Sequence, residues 1–312
     1  MKIFLKSLAA LLFLALAVWA IRSDSLPDRA GAGGAGAASL EDRMPALGNP
    51  AWRTSAVWDD GRAEYCAYEV TWARYGHRFP GRALLVVVKE PWAPDLEVKA
   101  DTKRPDGFEV LKLNHIRDVP TGIYTYHQMA SIFARRDTGA LRKIAASSAE
   151  ACGVSTASMV DGRLATRSYF DGQGDRTMDY PAGTLPEDGL PLFLRGYVEG
   201  GEGAVPSNLS VFPSLLHGAF PKLAPASYRM EKRSVPAVET AAGEMPGVEI
   251  RLTSGKSALA YTFDPQPPHR LLRFEREDGT VYRMAKCERI PYWSMHDPGG
   301  EAWWPERLKP AP

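Results

Sequence analysis

The sequence contains three cysteines in 312 residues: Cys66, Cys152 and Cys287. It has no CxxC motif, and no two of its six histidines stand four residues apart. The usual spacings of zinc ligands are therefore missing. Three cysteines are too few for a disulfide-stapled scaffold, although one bridge with one thiol left over fits an oxidising compartment. The sequence predicts no metal site and no cofactor, and it leaves the choice of cysteine pair open.

Net charge is also nearly absent, because 38 Lys and Arg residues stand against 37 Asp and Glu residues. No basic run interleaved with aromatic residues occurs, which argues against nucleic acid as a partner. No period of roughly 20–50 residues repeats, so a solenoid or a propeller is not expected. A hydrophobic content of 45% is nevertheless sufficient for a sizeable core.

The N-terminus has the pattern of an export signal. Lys2 and Lys6 precede Ser7–Ile21, which is apolar after its first residue. Val18 and Ala20 suit a cleavage site, and the run is shorter than the roughly 20 residues that span a bilayer. Residues 1–21 are therefore predicted to be a signal peptide, with an uncleaved membrane anchor as the alternative. We expect an exported protein of the periplasm or cell envelope, associated with the membrane if the anchor is retained.

Composition divides the remainder of the chain into three parts. Residues 22–48 are rich in Gly and Ala and lack a hydrophobic period, so they are predicted to be a flexible linker. Residues 49–293 are predicted to form a single β-rich domain. Residues 294–312 contain several prolines and are predicted to be a C-terminal tail.

Most of the domain consists of short segments with a two-residue hydrophobic alternation, separated by Gly, Pro or Asp-Gly turns. The predicted strands include a long hairpin, Ala63–Arg74 with Ala83–Glu90, and a closing meander of Tyr228–Val235, Gly247–Leu252, Ala258–Phe263, Leu271–Arg276 and Val281–Glu288. This pattern predicts a mainly β protein. We expect a large curved antiparallel sheet or half-barrel with a few short helices.

Two segments are less typical of strands. Leu185–Val198 is the best candidate for a helix, and Glu187 and Asp188 stand in its first turn, where the helix dipole favours negative charge. Thr121–Phe133 fits both periods, because Ile123, Tyr126, Ala130 and Phe133 also have helical spacing. We interpret it as a strand because it is rich in tyrosine and other strand-favouring residues.

Several short motifs resemble a group of exported bacterial proteins. The matching residues extend from about Trp58 to Trp293 and are Lys112-Leu113-Asn114, Thr121-Gly122-Ile123-Tyr124, Tyr126, Met129, Ser131, Phe133, Glu150, Cys152-Gly153, Tyr169-Phe170, Gly172-Gln173-Gly174-Asp175, Glu187-Asp188-Gly189-Leu190, Arg289 and Tyr292-Trp293. Ala151 departs from the pattern, since the family commonly has Trp there. The resemblance implies no established activity.

Members of this group are often labelled septum-formation inhibitor Maf, a label that the residues do not support. Maf proteins are cytosolic α/β enzymes with an N-terminal Ser-x-Ser-Pro-Arg-Arg loop, which this sequence lacks. The closing meander is more similar to the lipoprotein-carrier (LolA/LolB-like) architecture, in which an antiparallel sheet curls around an apolar cavity. That similarity implies a lipid or another apolar small molecule as the partner.

Two clusters suggest chemistry. Cys152 lies in the same stretch as His115 and His127, and an imidazole that lowered the thiol pKa would make it a nucleophile. The alternative is a small buried cysteine or a disulfide partner of Cys66. The oxygen-rich run Asp171–Asp175 suggests calcium, but it lacks the Gly and distal Glu of an EF-hand loop, so we interpret it as a hairpin turn.

The candidate ligand-binding residues come from the family-like motifs and from the aromatic residues, which line a cavity or pack in the core. They are Lys112, Asn114, Tyr124, Tyr126, Tyr169 and Arg289. With an export signal, a β-meander and no catalytic motif, the sequence favours a non-enzymatic envelope protein that binds a lipid-like or apolar ligand. The alternatives are a thiol-dependent hydrolase centred on Cys152 and an adaptor tethered to the membrane.

Overall fold

The computed structural model describes residues 48–201, 205–220 and 222–309. The predicted signal or anchor and nearly all of the predicted linker lie outside these residues. Within them, no helix has the length and apolar character needed to cross a membrane.

Sixteen strands of the described chain form one sheet. They are β1 Ala63–Arg74, β2 His77–Ala93, β3 Val98–Lys99, β4 Phe108–Thr121, β5 Tyr124–Arg135, β6 Leu141–Glu150, β7 Gly153–Val160, β8 Arg163–Arg167, β9 Arg176–Asp179, β10 Leu185–Pro186, β11 Asn208–Phe212, β12 Ala226–Thr240, β13 Gly243–Ser254, β14 Ser257–Phe263, β15 Leu271–Arg276 and β16 Val281–Ile290.

In the described residues, helices are few and short, as the sequence predicts. The α-helices are α1 Ala51–Thr54 and α2 Leu190–Phe193, and the 3₁₀ turns are Ala56–Asp59, Glu187–Gly189, Leu194–Tyr197, Tyr292–Ser294, Gly300–Trp303 and Glu306–Leu308. The predicted fold class, a mainly β protein built on a large curved antiparallel sheet, is confirmed.

The sheet runs in the order β10-β11-β12-β13-β14-β15-β16-β1-β2-β4-β5-β6-β7-β8-β9, with β3 paired to β2. Every pair is antiparallel except β10 and β11. β1 lies in the middle, between β16 and β2, and is linked to β16 by the disulfide Cys66–Cys287. Since these cysteines face each other on neighbouring strands, the bridge joins the first strand of the domain to the last.

The predicted hairpins form, with tight turns. β1 and β2 are joined by Tyr75-Gly76 alone, and both residues have positive φ, at 54° and 74°. β4 and β5 are joined by Gly122-Ile123. The ambiguous segment is therefore confirmed as a strand from Tyr124 onward, whereas its start, predicted to be strand, is the hairpin turn. These turns set the register, and the register determines which side chains face inward.

The inner face of the sheet carries the main core. On β4, Leu111, Leu113 and Val119 point into this core, and on β5 Tyr126 and Ile132 do. Side chains one residue away point outward, because the strand period is two. His115 and Arg117 share the parity of the inward residues of β4 and are buried with them.

The inside of the curve is filled by the connector Glu187–Tyr197, which was predicted to be a helix and consists of α2 between two 3₁₀ turns. Every one of its eleven residues is buried. A Cβ added at Gly189 would lie 2.8 Å from Phe193 and 3.2 Å from Ile132, so the connector packs closely on β5. The lumen of the half-barrel is therefore occupied by the chain itself.

A second core lies on the outer face of β1 and β2. Leu84, Val86 and Val88 pack there against Trp303 and Leu308. The sequence predicts a tail from residue 294, whereas residues 300–308 fold back onto the sheet. Because both faces of β2 are covered, residues 83–88 are buried without interruption, which explains the continuous apolar run in the sequence.

Candidate functional site

Several turns lie together at one end of the sheet, which is here called the mouth. They are the turns β1–β2, β4–β5, β6–β7 and β15–β16 and the loop after β8. Antiparallel pairing places alternate turns at the same end, since Arg74 pairs with His77, Thr121 with Tyr124, and Glu150 with Gly153. Residues 213–220 and 222–224 lie across part of this end. The groove that they border is the candidate functional site.

The groove has a volume of about 450 Å³. Aromatic side chains of Trp72 and Phe220 contribute to its walls, and basic side chains of Arg74, Lys222 and Arg276 line it. It offers both apolar contact and positive charge.

Arg74 lines the groove and packs between two aromatic rings. Its guanidinium carbon lies 5.6 Å from the centre of the Trp72 ring and 4.8 Å from the centre of the Tyr75 ring. These contacts fix the guanidinium plane, while Nε is buried and has no hydrogen-bond partner among the described residues. An unpartnered buried donor is uncommon in folded proteins and indicates a missing acceptor.

Arg276 is held differently, by an ion pair with Glu187 at the start of the connector. Burial opposes the charge on Arg276, but Glu187 together with Tyr261, Asp278 and Glu277 outweighs burial and raises the pKa of the guanidinium. The opposite charges of Arg276 and Glu187 cancel, so the pair adds no net charge to the groove. Of the remaining charged groove residues, Arg74 and Lys222 stand against Asp278, so the groove keeps a positive excess.

Beneath the groove lies a small internal cavity of about 30 Å³, enough for one or two water molecules. His115 and Tyr282 meet in its wall, with Nε2 3.2 Å from the phenol oxygen. Burial, reinforced by the nearby Arg117 charge, lowers the pKa of His115 to about 3. His115 is therefore neutral at physiological pH.

Arg117 organises the polar groups next to His115. It donates from Nε and Nη2 to Gln128 Oε1, at 2.8 and 2.5 Å, and its guanidinium stacks 4.6 Å from the centre of the Trp72 ring. Gln128 in turn donates to Ser148 Oγ at 3.0 Å. The chain of contacts links β4, β5 and β6 below the mouth.

Asp188 connects the connector to the loop that borders the groove. Its carboxylate accepts hydrogen bonds from Ser214 Oγ at 2.5 Å and from the Leu215 backbone at 2.7 Å. Burial raises the pKa of Asp188 in spite of these bonds. The sequence suggests that Glu187 and Asp188 interact with a helix dipole, and this interpretation is wrong, because both are buried and bind specific partners across the fold.

His217 stands between the groove and the internal cavity and lines both. Its pKa falls well below the usual range because of burial and then because of the charges of Arg117, Arg276 and Arg74. Gly218 has a φ of 68°, and a Cβ there would lie 2.6 Å from Ser148. Glycine at this position lets the loop approach β6 closely.

The predicted binding residues divide into two groups. Tyr124, Tyr126 and Tyr169 lie at the mouth; the Tyr126 hydroxyl is 2.5 Å from that of Tyr75, and the Tyr124 ring centre is 5.6 Å from that of Tyr126. Tyr169 donates to Glu150 and stacks on Phe170. The structure brings these three to the mouth, although none of them lines the groove itself.

The other three candidates lie elsewhere. Lys112 pairs with Glu90 at 2.6 Å, and Asn114 accepts from Ser131 at 2.8 Å; both side chains have the outward parity of β4. Arg289 binds both oxygens of Asp60 and covers the Trp58 ring at 4.9 Å. These residues are engaged in contacts between strands or with the start of the domain.

The predicted catalytic candidates are not assembled into one site. His115 faces inward, whereas His127, on the outward parity of β5, is exposed and lies 3.0 Å from Asp118. Cys152 is exposed in the β6–β7 turn and neither buried nor in a disulfide, contrary to the alternative expectation. The Glu150 carboxylate raises the pKa of the Cys152 thiol, which disfavours the reactive thiolate.

Sequence reasoning missed Arg74, Arg117, His217 and Arg276. A signal for Arg117 was present, since it shares its parity with Leu111, Leu113 and Val119. A charged residue on that parity has to find partners inside the fold. The signal for Arg276 was not local, because its partner Glu187 lies 89 positions away.

The fold and the mouth define a curved antiparallel β protein with a groove at one end. No family model matches the chain, and no curated protein matches it. Among solved structures, it is similar to the crystal structure of a beta-barrel-like protein of domain of unknown function DUF1849 from Brucella abortus. The identity is 13%, the TM-score is 0.41, and the match covers 73% of this chain and 98% of the other. Function is therefore inferred from the geometry of the site itself.

Proposed function

We propose that this protein is an exported envelope protein that binds a small amphiphile with an anionic group in the groove at the mouth. The observation that carries the proposal is Arg74, whose buried Nε lacks an acceptor at the edge of an open groove. Carboxylates and phosphates satisfy guanidinium donors well.

The position of the ligand follows from the packing. The connector Glu187–Tyr197 occupies the inside of the curve, and the cavity beside His115 has room for about one or two waters. An acyl chain has no space there. We therefore assign the ligand to the groove, with its anionic group near Arg74 and Lys222 and its apolar part against Trp72 and Phe220.

Export is supported by two independent features. The N-terminal pattern is that of a signal or anchor, and Cys66 and Cys287 form a disulfide on neighbouring strands. Structural disulfides persist in oxidising compartments such as the periplasm.

Isothermal titration calorimetry with matched amphiphiles tests the ligand class. Dodecyl phosphate, dodecanoate and the uncharged dodecyl maltoside are titrated separately, each below its critical micelle concentration. We expect the two anionic compounds to bind and dodecyl maltoside to bind at least about tenfold more weakly, because a hydrogen bond to a charged group contributes about 1.5–3 kcal/mol.

Two arginine variants locate the site. Arg74→Gln removes the charge in the groove and is expected to weaken binding of dodecyl phosphate by about tenfold or more. Arg78→Gln is the matched control, because Arg78 is exposed near the same turn but does not line the groove. Equal effects of the two substitutions, equal affinity for dodecyl maltoside, or no binding at all would overturn the proposal.

A further inference from the structure

The tips of the mouth expose large apolar side chains side by side. Their exposed fractions are 58% for Tyr75, 101% for Ile123, 58% for Val154, 43% for Tyr169 and 37% for Phe170. Tyr75 and Ile123 occupy two-residue turns, Val154 follows the β6–β7 turn, and the other two follow β8. Since these turns lie at the same end of the sheet, the exposed side chains form one apolar rim.

Ile123 is unusual for its position. Gly122 supplies the positive φ, 62°, that this two-residue turn requires, so the backbone places no demand on residue 123, and what is unusual is a large apolar side chain left in solvent. A fully exposed isoleucine at the tip adds nothing to the core of the fold. An exposed apolar group of this kind, accompanied by tyrosines, is characteristic of surfaces that meet a membrane or a partner.

The charge beside the rim favours a membrane as the partner. Residues 73–81, which form the β1–β2 turn and its flanks, contain Arg74 and Arg78 and no carboxylate, and Arg82 beyond them is paired with Asp118. Beside Val154, Tyr169 and Phe170, three carboxylates (Glu150, Asp171 and Asp175) stand against Arg167 and Arg176, so the rim keeps a small positive excess. Basic residues next to exposed tyrosine and isoleucine complement an anionic lipid surface.

The opposite end of the sheet differs from the mouth in its charge. It also exposes apolar side chains, including Leu96 at 63% and Trp293 at 49%. Residues 94–109 at that end, however, contain five carboxylates and three basic residues. Anionic headgroups would repel those residues, whereas the rim has a small positive excess, so the charge difference favours the mouth as the side that faces a bilayer.

We propose that the apolar rim of the mouth docks on the surface of a lipid bilayer that carries anionic headgroups. Ile123 and Val154 enter the interfacial region, the tyrosines lie at headgroup level, and Arg74 and Arg78 contact the headgroup phosphates. This orientation turns the groove toward the membrane. Docking requires only the rim and does not depend on which ligand the groove binds.

Cys152 provides a native probe for this orientation. It is an exposed free thiol in the β6–β7 turn at the rim, and Cys66 and Cys287 are bridged. An environment-sensitive fluorophore on Cys152 of the full-length chain is mixed with vesicles of phosphatidylcholine and phosphatidylglycerol whose acyl chains are brominated. We expect its emission to shift to shorter wavelength and to be quenched by the bromines.

The matched control carries Cys152→Ser and Leu96→Cys, which moves the fluorophore to the opposite end. We expect this label to show neither the shift nor the quenching, even if the N-terminal segment holds the protein on the vesicle. Ile123→Asp, an exposed substitution that leaves the core untouched, should remove most of the response at Cys152. Thermal unfolding confirms that this variant is folded.

Three outcomes would overturn the proposal. The first is a label at Cys152 that remains in water while vesicles are bound, which would leave the rim as a surface for a protein. The second is an equal response from the label at position 96. The third is an undiminished response in Ile123→Asp or in vesicles of phosphatidylcholine alone, which lack the anionic headgroups.

Discussion

Two buried arginine–carboxylate pairs fix the two ends of the connector, and their surroundings differ. Glu64 and Arg195 are 3% and 1% exposed, with contacts of 2.6 and 3.0 Å between them. Arg195 also donates to the carbonyls of Pro191 and Pro268, both at 3.1 Å. At the other end, Glu187 and Arg276 form a pair that borders the open groove.

The two ion pairs differ in their access to solvent, and this difference gives them different roles. The Glu64–Arg195 pair is enclosed by the fold, and the guanidinium of Arg195 donates to Glu64 and to two backbone carbonyls. It is therefore not positioned to bind a ligand. The Glu187–Arg276 pair is reached from the groove, where water or a ligand group can replace either partner. The same type of interaction therefore holds the connector at one end and forms part of a binding site at the other.

The largest effect is expected from breaking the enclosed pair. Arg195→Met leaves the Glu64 carboxylate buried without its partner, which should lower the free energy of unfolding by about 3–5 kcal/mol. Urea denaturation followed by circular dichroism measures this loss. Arg276→Met is the matched control and should cost less, because the groove admits water to Glu187; an equal or greater loss would contradict the comparison.

The disulfide reinforces the same enclosed region, since Cys66 lies two residues after Glu64 on β1. Replacing both Cys66 and Cys287 by Ala should reduce the free energy of unfolding by about 2–4 kcal/mol, because the bridge joins segments 221 residues apart. Cys152→Ala, at an exposed position, should change stability by less than about 0.5 kcal/mol. A comparable loss from Cys152→Ala would show that the bridge has no special role.

The mouth region should be the part that responds to pH. Because the pKa of His115 falls from 6.5 in the unfolded chain to about 3, the unfolded state binds more protons between these values. The stability contributed by the neutral imidazole is complete above pH 6.5 and is lost as the pH falls toward 3. The stability difference between the parent protein and His115→Gln should shrink by roughly 3 kcal/mol from pH 7 to pH 4, at about 1.4 kcal/mol per pH unit below 6.5.

Tyr282→Phe is the control for this measurement. It removes the hydroxyl that His115 contacts but keeps the ring buried, and burial is the main cause of the pKa shift. The pH dependence should therefore persist in full in Tyr282→Phe and be reduced in His115→Gln, where the buried His217 still contributes. If His115→Gln kept the full dependence, another group would be responsible.

Most of the strands are predictable from the sequence because their signals are local. The meander strand Leu271–Arg276 has the predicted bounds, and the hairpin of β1 and β2 differs from the prediction only in a shorter turn. Alternation and turn residues act over a few positions, so they remain visible without the fold.

The candidate site was only partly predictable. The tyrosines at positions 124, 126 and 169 were among the expected ligand residues and do lie at the mouth. Lys112 and Asn114 were expected with them, but the two-residue period of β4 turns them to the outer face, while His115 and Arg117 face inward. A sequence motif on a strand does not show which of its side chains point into the core. That depends on which face of the sheet the rest of the protein covers.

The sequence by itself determined the β architecture, the order of most strands and the capacity for one disulfide. Tertiary structure decided that Cys287 pairs with Cys66, that the connector fills the lumen, and that Glu187 binds Arg276 instead of a helix dipole. These outcomes depend on contacts between residues that are far apart in the chain. Local propensity carries no information about such partners, because they are selected by the packing of the whole sheet.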